Sequence, residues 1–123
     1  MTIKFLIPVA LMLPAAGVAY APQDEIGYSK GALGTDALMK GDNERALQQI
    51  LTSKAEADDP ARLINLGRVY ARMGRKTDAI NAFQAAIDSR EHFDVMLSDG
   101  RVMDSREVAR LSLRKLQLSV VAR

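Results

Sequence analysis

The sequence predicts an all-α solenoid made of two helical hairpins, continued by a short β-hairpin and closed by a C-terminal capping helix. Three observations lead there. The chain superposes on itself when shifted by 33 positions, setting Gly34 on Gly67, Gly41 on Gly74, Ala46 on Ala79 and Ile50 on Phe83. Alternating apolar residues flank a turn signal at Ser98-Asp99-Gly100, and an apolar periodicity resumes after Ser105. A repeat of about 33 residues is the signature of stacked helical hairpins.

The first residues stand apart from this pattern. Lys4 precedes an apolar run from Phe5 to Leu13 and then the small residues Ala15-Ala16-Gly17-Val18-Ala19, the order of a secretory signal peptide. A retained membrane anchor is the alternative, but Pro8 and Pro14 interrupt a run already short of the ~20 apolar residues a spanning helix needs. Cleavage fits after Ala19 or after Ala21, and Pro22 would obstruct the second cut, so residues 1–19 are expected to be removed. Residues 20–27 then form a flexible N-terminal segment, and the product is expected in the periplasm or secreted. Removing nineteen of the 123 residues leaves 104, enough for one small domain with a modest core.

Composition narrows the partners. The net charge of +2 falls to +1 once Lys4 is lost, unlike the strongly basic balance of nucleic-acid binders. With no cysteine, disulfides, thiolate metal sites and a lipid-modified N-terminal cysteine are all excluded. Charge is uneven along the chain: Pro22 to Pro60 holds eight acidic residues against four basic, and Gly100 to Arg123 six basic against two acidic. The molecule is therefore expected to be electrically polar from end to end.

The two repeats occupy residues 28–90, divided at about 27–59 and 60–91. In the first, Gly31 and Gly34 each cost about 1 kcal/mol relative to alanine inside a helix, so a helix from Ser29 to Lys40 is expected only when packed. Its partner helix runs from Asn43 to about Lys54, with Asp42 as cap and Ala46, Leu47, Ile50 and Leu51 on one face. In the second repeat, helices are expected at about Ala61–Met73 and Thr77–Ser89, with Gly74 ending the first.

The second unit reads Leu63-x2-Leu66-Gly67-x2-Tyr70, then Gly74, then Ala79-x3-Phe83-x2-Ala86. This order of residue types resembles the tetratricopeptide repeat. Large apolar groups at Leu63, Leu66, Tyr70 and Phe83 fall on the inner faces of the two helices, while Gly67, Ala79 and Ala86 are small enough to let them approach. The first unit is a degraded copy, with Lys30, Ala37 and Ile50 where the family prefers larger or aromatic residues.

Beyond the repeats, residues 92–104 read as a β-hairpin with Asp99-Gly100 in a tight turn and Phe93, Val95, Leu97 and Val102 on one face. A lone hairpin is marginal in water, so that face must pack on the helices. Residues 105–123 supply the last helix, which runs from near Ser105 to about Val120. Asp104 followed by Glu107 resembles a capping box, and Val108, Leu111, Leu113, Leu116 and Val120 form a broad apolar side. Two repeats are fewer than a stable stack usually requires, so this helix is expected to cover the second repeat. The combination is similar to small exported repeat proteins of alphaproteobacteria, a resemblance that implies no particular activity.

Residues of catalytic type are sparse. His92, the single histidine, sits near a helix C-terminus with no companion at metal spacing, where dipole complementation accounts for it. Ser105 lies between Asp104 and Arg106 but lacks a base held by a third group, and capping explains it better. No cofactor, metal site or enzymatic activity is expected.

Two surfaces carry the functional expectation. The family resemblance implies a concave wall built from the first helix of each repeat, placing Tyr28, Thr35, Leu38 and Met39 there from the first unit. Ile64, Arg68 and Arg72 follow from the second, and the two arginines, one turn apart, would point into the groove. Family members that clamp a terminal carboxylate draw lysine, asparagine and arginine from three repeats; here Gly31 and Thr35 stand at two of those places, so that clamp is not expected. A looser groove for an acidic or extended peptide remains, set against the plain reading of both arginines as a solvated face. The other surface is the stripe of Arg106, Arg110 and Arg114, extended by Lys115, either a solvated face or a contact for anionic lipid or another copy's acidic repeat. The reading is an exported adaptor binding an unknown protein or peptide on its concave face. The alternative is a self-associating structural protein joined by acidic-to-basic contacts between copies. Nucleic acid is not an expected partner, and membrane-surface contact is at most weak.

Intact-mass measurement of exported material is expected to find Tyr20 as the first residue; retention of the full N-terminus would refute the signal-peptide reading.

Overall fold

A computed structural model describes residues 28–97 and 99–121, so the expected signal peptide of residues 1–19, the expected flexible segment of residues 20–27 and Ser98 lie outside the described part. The described chain is a mostly helical small domain with five helices and one antiparallel hairpin, ordered α1 (Thr35–Met39), α2 (Asn43–Thr52), α3 (Pro60–Arg72), α4 (Lys76–Asp88), β1 (Asp94–Met96), β2 (Val102–Asp104) and α5 (Ser105–Val121).

Local sequence signals set most of these boundaries. The Asp42 carboxylate accepts from the Arg45 N–H at 3.1 Å and starts α2. Asp59 does the same for Arg62 at 3.1 Å with Pro60 in the first turn, so α3 begins one residue earlier than its apolar pattern alone suggests. The Asp104 carboxylate accepts from the Arg106 N–H at 2.8 Å at the head of α5.

The helix expected from Ser29 to Lys40 is reduced to α1. Gly31 and Gly34 take φ values of +81° and +62°, and the chain there runs in successive turns, Ala32 N–H to Ser29 and Gly34 N–H to Gly31. The glycines end helical propagation where they were expected to sit inside it. Gly34 also lies against α2: a Cβ there would be 3.0 Å from the Ala46 carbonyl oxygen.

Helix α3 is the centre of the domain. It packs chiefly on α4, and α4 in turn on α5. Every residue from Pro60 to Val69 except Arg62 is buried, so α3 is enclosed on nearly all sides and not along one stripe. Leu63 and Ile64 join Leu33, Ala86, Val95 and Val108 in one core cluster. Leu66 and Val69 join Leu38, Ile50 and Ala82 in a second.

The hairpin pairs Asp94 with Asp104, Val95 with Met103 and Met96 with Val102. Leu97 N–H donates to the Arg101 carbonyl, leaving a connection of three residues in place of a two-residue Asp99-Gly100 turn. That extra residue turns the second strand over. Val102, expected on the inner face, is 56% exposed, and Met103 takes its place against the core. Phe93, Val95 and Leu97 are buried as expected. Ser105 joins strand to helix: its N–H donates to the Phe93 carbonyl at 2.9 Å and its hydroxyl accepts from the Phe93 N–H at 3.2 Å.

Gly67 faces Phe83 so closely that a Cβ would lie 2.6 Å from ring carbon Cε1. Gly-to-Ala inside a helix ordinarily stabilises by about 1 kcal/mol. Here Gly67→Ala is expected to destabilise instead, by ~1–3 kcal/mol through overpacking, with part of the loss recovered in Gly67→Ala/Phe83→Leu. Urea denaturation of the single and double variants checks both the sign and the coupling.

Candidate functional site

Most of the expected concave wall is interior. Thr35, Leu38, Ile64 and Arg68 are buried, Met39 is half-buried, and Arg72 alone of the α3 positions reaches solvent. The half-buried Tyr28 directs its hydroxyl to Asp59, at 2.9 and 2.8 Å from the two carboxylate oxygens. The cause lies in the shortened α1: the turns at Gly31 and Gly34 lay Leu33 into the core beside Ala61 and Ile64, and the Leu33 carbonyl accepts from Asn65 Nδ2 at 2.9 Å. These residues are thus gathered around α3 as packing.

The cationic stripe is also divided. Arg106 is drawn inward, its Nη2 donating to the carbonyl of Ser89 at 3.1 Å. Ser89 caps the C-terminus of α4, where helix carbonyls lack partners within the helix. Arg110 pairs with Glu107 at 3.3 Å on the exposed surface, and Arg114 stays exposed. Lys115, one position on, lines a crevice between helices.

That crevice brings three of the expected cations together. It encloses about 270 Å³ between α3 and α5, with Phe83 of α4 contributing to its wall. Among the described residues, Arg68, Arg72 and Lys115 line it and no carboxylate does. Ala71 and Leu116 add apolar surface. A larger depression of about 420 Å³ near Lys30 and Lys54 is more open and holds no buried charge.

Arg68 is the unusual group. Only 2% of it is exposed, and its one side-chain partner is Asn65 Oδ1, 3.4 Å from Nη1. Nε and Nη2 are buried without a hydrogen-bond partner. In a guanidinium these two donors lie along one edge and point in parallel, the fork that matches the two oxygens of a carboxylate or phosphate. Burial, reinforced by the charge of Arg72, lowers the Arg68 guanidinium from its ordinary range to about 9, so it remains charged at neutral pH. Burial likewise lowers Arg72, whose Nη1 donates to the Leu38 carbonyl at 2.7 Å.

Sequence reasoning singled out Arg68, Arg72 and Lys115 but assigned them to two surfaces. It passed over Ser112 and Ser119 and read Leu116 only as part of the apolar side of the last helix; all three line the same crevice. Their spacing with Lys115 (positions 112, 115, 116 and 119) is that of one helix face. The serines' small size was the available signal for a gap between helices.

His92 and Asp104 form a separate pair, Nδ1 to Oδ2 at 2.8 Å, so His92 binds a carboxylate and does not cap a helix end. Burial pushes the Asp104 carboxyl up, but the hydrogen bonds from His92 and the Arg106 N–H, with their charges, hold it below its ordinary value. Ser105 is fully buried and its hydroxyl accepts from the Phe93 N–H. Among the described residues no cluster of three histidine or acidic side chains could hold a metal, and no helix is long and apolar enough to cross a membrane.

Comparison with protein-family models gives no match, and neither the curated proteins nor the solved structures give one.

A buried charge without a partner destabilises the fold, and replacing it by an apolar group of similar volume is often stabilising by 1–4 kcal/mol. Arg68→Met is therefore expected to raise stability by ~1–4 kcal/mol at pH 7. The folded protein releases the Arg68 proton near pH 9, well before the unfolded chain does. Above that pH the native state binds fewer protons than the unfolded one, so wild type gains stability and the difference from Arg68→Met shrinks. Paired thermal melts at pH 7 and pH 10 check both statements.

Proposed function

We propose that this chain is an exported binding protein of tetratricopeptide-like architecture, an adaptor that holds an anionic group of a partner protein or peptide in the crevice between α3 and α5. The observation carrying this reading is the Arg68 fork, buried and unpartnered in a crevice that Arg72 and Lys115 line and no acid among the described residues neutralises. A guanidinium held this way costs stability, and an anionic ligand would offset that cost. The repeat architecture draws support from the 33-residue spacing, from α3 and α4 lying within one residue of the expected helices, and from the contact of Gly67 with Phe83.

A self-associating structural role has weaker support. Asp36 is paired with Lys40 at 2.9 Å, Asp42 caps α2, and Arg106 is held by Ser89, so much of the charge that would join two copies is engaged within one.

The two readings separate by charge reversal. Arg72→Glu/Lys115→Glu is expected to abolish partner capture from periplasmic extract while the helical circular dichroism signal is kept, and Arg110→Glu/Arg114→Glu to leave capture intact. The opposite pattern, together with oligomers that dissociate as salt is raised, would favour self-association.

A further inference from the structure

We infer that the crevice between α3 and α5 is a binding site for a free carboxylic acid with an apolar stem, the carboxylate held by the Nε–Nη2 edge of Arg68. The inference rests on the reading of this crevice as an anion site and names the class of small ligand that fits it.

The charged end follows from the geometry of the fork. Two parallel N–H donors on one planar edge match two carboxylate oxygens, and both donors are at present without partners. Arg68 is the deeply buried cation of the crevice, whereas Arg72 and Lys115 are exposed. A single negative charge therefore neutralises the buried charge; the second charge of a phosphate dianion would be desolvated beside it without an equally buried counterpart.

The stem follows from the rest of the lining. Ala71, Phe83 and Leu116 present apolar surface. The two serines offer little to a polar chain, because the Ser112 hydroxyl donates to the Val108 carbonyl at 2.8 Å and that of Ser119 to the Leu116 carbonyl at 2.7 Å. A peptide entering the crevice would bring backbone N–H and C=O groups that these walls leave largely unmatched. A hydrocarbon stem brings none. The volume, about 270 Å³, suits a ligand smaller than the usual drug-sized occupant. An acid seated there occupies the fork that a protein partner's anionic group would use, so the two are expected to compete.

Calorimetric titration of the processed protein with octanoate, acetate, inorganic phosphate and a short peptide ending in leucine tests the inference. Octanoate is expected to bind, to raise the melting temperature of wild type, and to bind at least tenfold more tightly than acetate. Arg68→Lys, which keeps the charge but loses the fork, is expected to weaken octanoate binding at least tenfold, and Arg68→Met, which should fold more stably than wild type, to abolish it. Binding is expected to fall as pH drops below about 4, where the ligand carboxylate is protonated. Octanoate binding equally well to Arg68→Met would overturn the inference. Phosphate or the peptide binding tenfold more tightly than octanoate would overturn the ligand class and leave the anion site standing. No binding by any of the four would remove both the ligand and the anion reading of the crevice.

Discussion

The domain depends on how closely α3 and α4 approach at Gly67. There is no room for a Cβ between that backbone and the Phe83 ring, so the two helices meet backbone to ring. With α4 pressed on that side, the remaining sides of α3 are taken by α2 and by α5. Over residues 63–69 the helix is covered on all sides and leaves no solvent face for its polar residues. Asn65 is satisfied by the Leu33 carbonyl, and Arg68, one position beyond the contact glycine, is enclosed with one weak partner. The buried charge is thus a consequence of the packing that holds the domain together.

Burying a charge in this way is unfavourable unless something compensates it. Within the described residues no acid compensates it, and the charge of Arg72 adds to the cost. Arginines elsewhere in the fold do find partners: Arg106 closes the end of α4 through Ser89, Arg75 pairs with Asp78 at 2.8 Å, and Arg72 reaches the Leu38 carbonyl. The contrast is one of degree: Arg62 and Arg106 each leave one buried donor, Nε, without a partner, whereas Arg68 leaves two. On the proposed reading, ligand binding uses its geometry, because the unpaired donors form one edge and the side chain lines the crevice.

The hairpin and α5 depend on each other. Phe93, Val95 and Leu97 enter the core beside Val108 and Ala109 of α5, and the two hydrogen bonds between Ser105 and Phe93 fix where the helix leaves the strand. That junction sets the position of α5 over α3, and therefore the width of the crevice. A hairpin of three-residue strands would be marginal alone. Its stability comes from this shared core, and the orientation of Lys115 and Leu116 toward Arg68 follows from it.

By itself the sequence determined the type and approximate limits of α2, α3, α4 and α5, the presence of the hairpin, and the close contact at Gly67. These rest on short-range physics: Asp42, Asp59-Pro60 and Asp104 cap within four residues of themselves, and apolar spacing reports the period of each element. Arg68, Arg72 and Lys115 were legible as candidate cations, but their meeting in one crevice was not. The length of α1, the inward Met103 in place of Val102, and the burial of Arg68 were decided by tertiary structure. Each depends on groups distant in sequence or on a single residue of turn length: α2 beneath Gly34, a three-residue connection after Leu97, and an α5 more than thirty positions beyond α3. Helical periodicity says which side chains share a face, but whether a face meets water or another helix is settled only when the other helix arrives.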